Sequence, residues 1–333
     1  MKYISTSNLA ARAVATGLLL TVLSVGAAAQ TLPEGGSPPV SAPLNPNDIA
    51  ILHWYQANQT TTFGGFDYPY GIAFDGACIW VGDINEGGLT KMRASDGAVQ
   101  LTINLGTTLG SLAFDGANMW VTNGTDGVSK VRASDGTVVG GPFAVPSDPW
   151  GVAFDGTNIW VTESNGNSVA LLRASDGAML GTFTVGFEPN QVAFDGSNVW
   201  VSNFGSNTVT KLLASNGALL GTFNVGNEPT ALVFDGANMW VTNWGSGTVT
   251  KLRASDGAVL GTFHVGIEPG GATFDGTHVW VSNYGSNTVT ELLASDGSTV
   301  GTWAAGQHPY PMAYDGANVW VVNHTNGGTV SKL

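Results

Sequence analysis

Two sets of side chains in this sequence have the types to do chemistry, and both recur at a fixed interval of 40 residues. The first set stands directly before a proline: Tyr68, Asp148, Glu188, Glu228, Glu268 and His308, with Thr108 in the same place before Leu109. The second set stands in a later loop of each unit: Ile84, Gly124, Ser164, Phe204, Trp244, Tyr284 and His324. Carboxylates accept hydrogen bonds from hydroxyl groups or hold Ca²⁺, and aromatic faces stack on sugars or attract cations. Asp148, Glu188, Phe204, Glu228, Trp244, Glu268 and Tyr284 therefore form a candidate ligand platform. His308 and His324, with Glu268, are the one group with acid–base character, where a histidine would move a proton beside a metal held by carboxylates. No HxxxE or HxH spacing accompanies them. The same aromatics would also serve as covers for the ends of their units, and Glu-Pro in three successive units also fits recent duplication of one unit.

The repeat that spaces these residues dictates what holds them. Phe74-Asp75-Gly76 recurs at Phe114, Phe154, Phe194, Phe234 and Phe274, and at Tyr314 with Tyr for Phe. Six residues after each of these aromatics stands a tryptophan: Trp80, Trp120, Trp160, Trp200, Trp240, Trp280 and Trp320. A second motif, Ala-Ser-Asp-Gly, ends at Gly97, Gly136, Gly177, Gly257 and Gly297, and reads Ala-Ser-Asn-Gly at Gly217. In the fifth unit, 230–234, 239–242, 248–253 and 259–265 read as short strands parted by turn residues. Asp-Gly pairs suit tight turns because Gly accepts positive φ. Four short antiparallel strands per 40 residues is a propeller blade, and the repeated Trp and Phe are its core. The expected fold is an all-β, seven-bladed β-propeller. The last unit ends at Leu333 after its third strand, while Thr61-Thr62-Phe63-Gly64 matches the segment it lacks, so the N-terminal strand is expected to close the last blade.

The unit Trp240-Val241-Thr242-Asn243, followed by Thr248-Val249-Thr250-Lys251-Leu252 and Gly261-Thr262-Phe263-His264-Val265-Gly266, resembles the YVTN repeat of surface-layer and YncE-like propellers, with Trp where that family has Tyr. The resemblance covers residues 60–333. NHL-type propellers and streptogramin lyases are more distant by pattern. The resemblance implies an extracytoplasmic propeller used mostly for binding, and it supplies no catalytic motif that can be placed here.

Composition narrows the partners. Lys2 and Arg12 precede an apolar stretch from Ala13 to Val25 and an Ala-rich site, which reads as a signal peptide over 1–29. The run is too short to span a membrane. Residues 30–46 read as a Pro/Gly/Ser-rich linker, 47–59 as a short helical segment and 60–333 as the propeller. Cys78 is the only cysteine, so no intramolecular disulfide forms. The formal charge is −13, and without the two leader cations it is −15. All nine remaining Lys and Arg fall in third strands, twelve carboxylates in the bottom turns and nine in top loops: Asp67, Asp83, Glu86, Asp126, Asp148, Glu163, Glu188, Glu228 and Glu268. That balance excludes a nucleic-acid or anionic-membrane binder.

The leading expectation is thus an exported, monomeric, non-enzymatic scaffold, periplasmic or at the cell surface. It would bind a glycan, a cation or a protein partner on an acidic, aromatic top face. No cofactor is expected unless the carboxylates hold Ca²⁺. Two alternatives stand: a lyase or hydrolase of streptogramin-lyase type using His308, His324 and Glu268, and a structural surface component.

Overall fold

The computed structural model describes residues 61–333 apart from 107, 125 and 126. The signal peptide, linker and short helix expected over 1–59 lie outside the described residues, as does Asp126.

Seven four-stranded antiparallel sheets form the blades. Blades 1 to 6 span residues 69–104, 112–143, 149–184, 189–224, 229–264 and 269–304, and blade 7 joins 309–332 to 61–63. In blade 5 the strands are Pro229–Phe234, Asn238–Asn243, Thr248–Arg253 and Val259–His264. They lie in chain order from the channel outward. Closure of blade 7 is as the sequence implies: Thr61–Phe63 pairs antiparallel with Thr329–Lys332, Phe63 lying opposite Val330. Its ring stacks on Trp320 at 5.5 Å. This pairing removes an unpaired edge at the ring's seam.

The Phe-Asp-Gly and Trp motifs explain one another. The side chains of Trp80, Trp120, Trp160, Trp200, Trp240 and Trp320 are fully buried, and burying an indole N–H requires an acceptor. The Asp of the preceding turn supplies it, as in Trp240 Nε1 to Asp235 Oδ2 at 2.7 Å, and the bond recurs in every blade. The other oxygen of Asp235 accepts the N–H groups of Ala237 and Asn238. Burial would raise these carboxyls, but the donors outweigh it, and Asp75, Asp115, Asp195, Asp235, Asp275 and Asp315 sit below their ordinary values.

The third-strand lysines tie blade to blade. Lys91, Lys130, Lys211, Lys251 and Lys332 each donate to the alanine carbonyl of the next blade's Ala-Ser turn, Lys332 closing the ring onto Ala94. Each ammonium also lies 4.9–5.2 Å from the Trp ring of its own blade, a favourable cation–π distance. The arginines pair with turn aspartates three residues on, as Arg253 with Asp256 at 2.9 Å. Leu171 and Glu291 stand in the lysine position of blades 3 and 6. The bottom of the ring is therefore a repeated, satisfied lattice in which cations neutralise turn carboxylates.

Candidate functional site

The first strands line the channel and pack side by side around it. Hydroxyls of the second strands fasten each to the next: Thr162 Oγ1 donates to Asn190 O at 2.8 Å and Ser202 Oγ to Thr230 O at 2.6 Å. On this frame the two variable positions are joined directly. The backbone N–H of the loop residue donates to the carbonyl of the pre-proline residue: Phe204 to Glu188, Trp244 to Glu228, Tyr284 to Glu268 and His324 to His308, at 2.9–3.0 Å. Each pair thus presents two side chains from one small platform at the top of its blade.

The backbone of the pre-proline position is strained. Tyr68, Asp148, Glu188, Glu228, Glu268 and His308 all have φ between 50° and 55°. For a residue with a Cβ this left-handed conformation costs on the order of 1–2 kcal/mol. In the neighbouring loops the same conformation falls to Asn167, Asn207, Gly247 and Asn287, residue types suited to it. Glycine, of which the chain has 47, is never used before these prolines. Hydrogen bonds from the preceding blade hold the strained residues, as His308 N to Asn287 Oδ1 at 2.8 Å and Glu228 N to Asn207 Oδ1 at 2.8 Å. Backbone strain of this kind clusters at functional sites in folded proteins.

The rings converge on one side of the mouth. Tyr284 stacks on His308 with centroids 4.3 Å apart and planes 8° apart. Trp244 lies 5.1 Å from Tyr284, and His324 lies 5.6 Å from both Tyr68 and Tyr70. Tyr310 touches Trp244, Tyr284 and Tyr70, and Tyr70 reaches Trp150 at 5.2 Å. The Tyr70–Trp150 contact crosses blade 2, where the matching residue is Gly110. Tyr310 occupies the space of a missing side chain at Gly270, where a Cβ would come within 2.4 Å of its ring. Burial first, then the Glu268 carboxylate, hold the Tyr284 hydroxyl above its ordinary value.

His324 has a defined role for one nitrogen. Its Nδ1 lies 3.0 Å from the carbonyl oxygen of Pro69. A carbonyl only accepts, so Nδ1 carries the proton and, in the neutral ring, Nε2 keeps a free lone pair. Glu228, Trp244, Ile267 and Glu268 line a groove of about 500 Å³ between blades 5 and 6.

The expected site is therefore partly assembled. Trp244, Tyr284, Glu268, His308 and His324 come together. Phe204 makes no ring contact with this cluster among the described residues, and Asp148 and Glu188 belong to blades 3 and 4, where Glu188 and Phe187 line a separate groove. Two of the top-loop carboxylates are not surface charges. Asp83 and Glu163 end second strands with relative exposures of 7% and 1%, and burial raises both. Glu163 takes the place of Asn203, Asn243 and Asn283, whose Oδ1 atoms accept the N–H of Gly186, Gly226 and Gly266. Blade 3 has Pro146 there, which has no N–H, and Glu163 Oε1 is left without a partner. Among the described residues no group of three or more His, Cys, Asp or Glu side chains is gathered closely enough to hold a metal ion. No described helix is long and apolar enough to cross a membrane.

Tyr70, Trp150 and Tyr310 come from a third variable position, absent from the sequence-based platform: the second residue of the first strand reads Tyr70, Gly110, Trp150, Asn190, Thr230, Gly270 and Tyr310, as variable as the pre-proline and loop positions.

No protein-family model matches the sequence, and a search of curated proteins finds no match. Solved structures do share its fold. A streptogramin B lyase superposes with a TM-score of 0.70 at 15% identity, covering 82% of this chain and 96% of that one. The virginiamycin B lyase of Staphylococcus aureus gives 0.70 at 16% identity, covering 82% and 98%. A catalytically inactive histidine-to-alanine variant of the same lyase with quinupristin gives 0.70 at 18%, with the same coverage. The streptogramin lyases, more distant by sequence pattern, thus share this seven-bladed fold. The expectation of a non-enzymatic scaffold is corrected by the same finding: this seven-bladed architecture is one on which lyases are built.

Proposed function

We propose that this chain is a propeller lyase whose top-face histidines, Glu268 and neighbouring aromatics form the active centre. The observation that carries the reading is the bond from His324 Nδ1 to the Pro69 carbonyl. It fixes the tautomer, so that in the neutral ring Nε2 keeps the lone pair a general base needs. In an elimination, Nε2 takes a proton from carbon adjacent to a carbonyl. The C–H electron pair forms the new double bond, and the leaving group departs with its own bonding pair, receiving a proton from His308. Trp244 and Tyr284 supply flat faces for the substrate, and Glu228 and Glu268 accept its donors. The loss of activity on replacing a histidine in the similar virginiamycin B lyase supports a histidine-dependent step. The leader-like segment over 1–29 supports action outside the cytoplasm.

The test is turnover of quinupristin, followed by mass spectrometry. Elimination gives products whose masses sum to that of the substrate, whereas hydrolysis adds one water. Turnover of the first kind, lost in His324→Ala and retained in Phe204→Ala, is the expected result. Turnover unchanged by His324→Ala would remove the role given to that residue. No turnover of quinupristin or of related cyclic and ester substrates would remove the lyase reading.

A further inference from the structure

Below the mouth the first strands enclose a cavity of about 160 Å³ whose walls include Tyr70, Ser111, Gln191, Leu232, Tyr310 and Met312. Tyr70 and Tyr310 belong both to this cavity and to the aromatic cluster that carries His324 and Trp244. The cavity thus continues the candidate active centre into the channel. Its size is comparable to the roughly 150 Å³ engineered cavity that accepts one benzene ring.

The lining has a definite chemistry. No Asp, Glu, Lys, Arg or His contributes to it, so a charged group placed there would be buried without a counter-ion, which is strongly unfavourable. The lower wall is aliphatic, from Ile72, Leu112, Val192, Leu232 and Met312. The upper wall is polar and incompletely satisfied. Ser111 Oγ donates to Gln191 Oε1 at 3.3 Å across the intervening Gly151, and the other end of that amide has no partner among the described residues. The Tyr70 hydroxyl, on a residue only 6% exposed, is turned to the Tyr310 hydroxyl and to Trp150 Nε1. Burial, then the neighbouring Tyr310 hydroxyl, push the Tyr70 hydroxyl well above its ordinary value, so it stays neutral. Gln191 lines the cavity, and a ligand group that pairs with its free amide end gains a hydrogen bond on binding.

We propose that this cavity is the specificity subsite of the lyase: it takes one uncharged, ring-sized side chain of the substrate bearing a single hydroxyl or amide group. Gln191 and Ser111 hydrogen-bond that group, and the aliphatic wall holds the ring. Its assignment to substrate rests on the lyase reading, but occupancy of the cavity does not.

Binding of p-cresol, toluene and benzylamine to the whole protein, by ligand-observed NMR titration, tests it without turnover. We expect saturable binding of p-cresol roughly tenfold tighter than toluene, about the worth of one hydrogen bond, and none of benzylamine at this site. Gln191→Leu should erase the preference for p-cresol while keeping toluene. Ala231→Leu, which fills the cavity wall, should remove both. Thermal unfolding of each variant checks folding, and Gln191→Leu decides the matter if Ala231→Leu does not fold. Benzylamine bound as tightly as p-cresol, no saturable p-cresol binding, or p-cresol binding unchanged by Gln191→Leu would each overturn the proposal. Fragment binding with no quinupristin turnover would count against the lyase reading alone; turnover without fragment binding would count against the subsite alone.

Discussion

The two faces of this ring are built from the same seven units and obey opposite rules. On the bottom, each Asp-Trp pair repeats with the same hydrogen bond, and five lysines repeat the same tie to the next blade. On the top, the loop residues differ from blade to blade, nine non-glycine residues hold a left-handed backbone, and several buried polar atoms, Glu163 Oε1 among them, lack partners among the described residues. Repetition with full pairing is what a stable lattice requires. Variation combined with strain and unmet hydrogen bonds costs stability, so the two faces differ in what they give the fold. The glycines sharpen the contrast: those in the bottom turns, such as Gly257, relieve positive φ, whereas Gly270 at the channel mouth makes room for the ring of Tyr310 from the next blade.

The contrast can be broken most directly with tryptophans. Trp240→Ala empties a fully buried core position and strands Asp235, and it should cost about 3–5 kcal/mol in denaturant unfolding. Trp244→Ala, on the top platform, should lose ligand binding with under about 1 kcal/mol of stability; a loss as large as that of Trp240→Ala would erase the distinction between the faces. His324→Ala should lower turnover by about 10²–10⁴-fold, the usual span for a general base, with the unfolding midpoint nearly unmoved. Acid should act on the bottom first. Asp75, Asp115, Asp195, Asp235, Asp275 and Asp315 lie below their ordinary values in the folded protein. The stability they contribute is present above the unfolded value near pH 4 and is lost as the pH falls through the lowered folded values. A pH series of unfolding midpoints should therefore fall below about pH 4, and Asp235→Asn should flatten part of that fall. The smallest effect is expected at Glu163. Burial raises its carboxyl, so its ionisation opposes folding as the pH rises through the folded value. Glu163→Gln should raise the midpoint at neutral pH by about a degree or two, with little change at pH 4.

Much of this was legible in the chain. The 40-residue interval, the turn pairs and the strand lengths give seven blades, and Thr61-Thr62-Phe63 matches the strand that closes the last one. The platform residues stood out because they break the repeat at fixed places. A carboxylate at the end of a strand looks in sequence like one in a loop, so Asp83 and Glu163 read as loop charges; only the tertiary packing, with the Ser168 hydroxyl on Glu163, shows the latter as buried. Tyr70 and Tyr310 looked like ordinary strand residues, since alternation says which way a side chain points and not what it meets across the channel.

Sequence by itself determined what each blade is, because strand, turn and core positions are set by neighbours within 40 residues, and the same local energetics apply seven times. Tertiary structure decided what the blades do together. Pro69 and His324 are 255 residues apart, and no local pattern links them. Closing the ring sets blade 7 against blade 1, so that a carbonyl from one end of the chain fixes the proton on a histidine at the other.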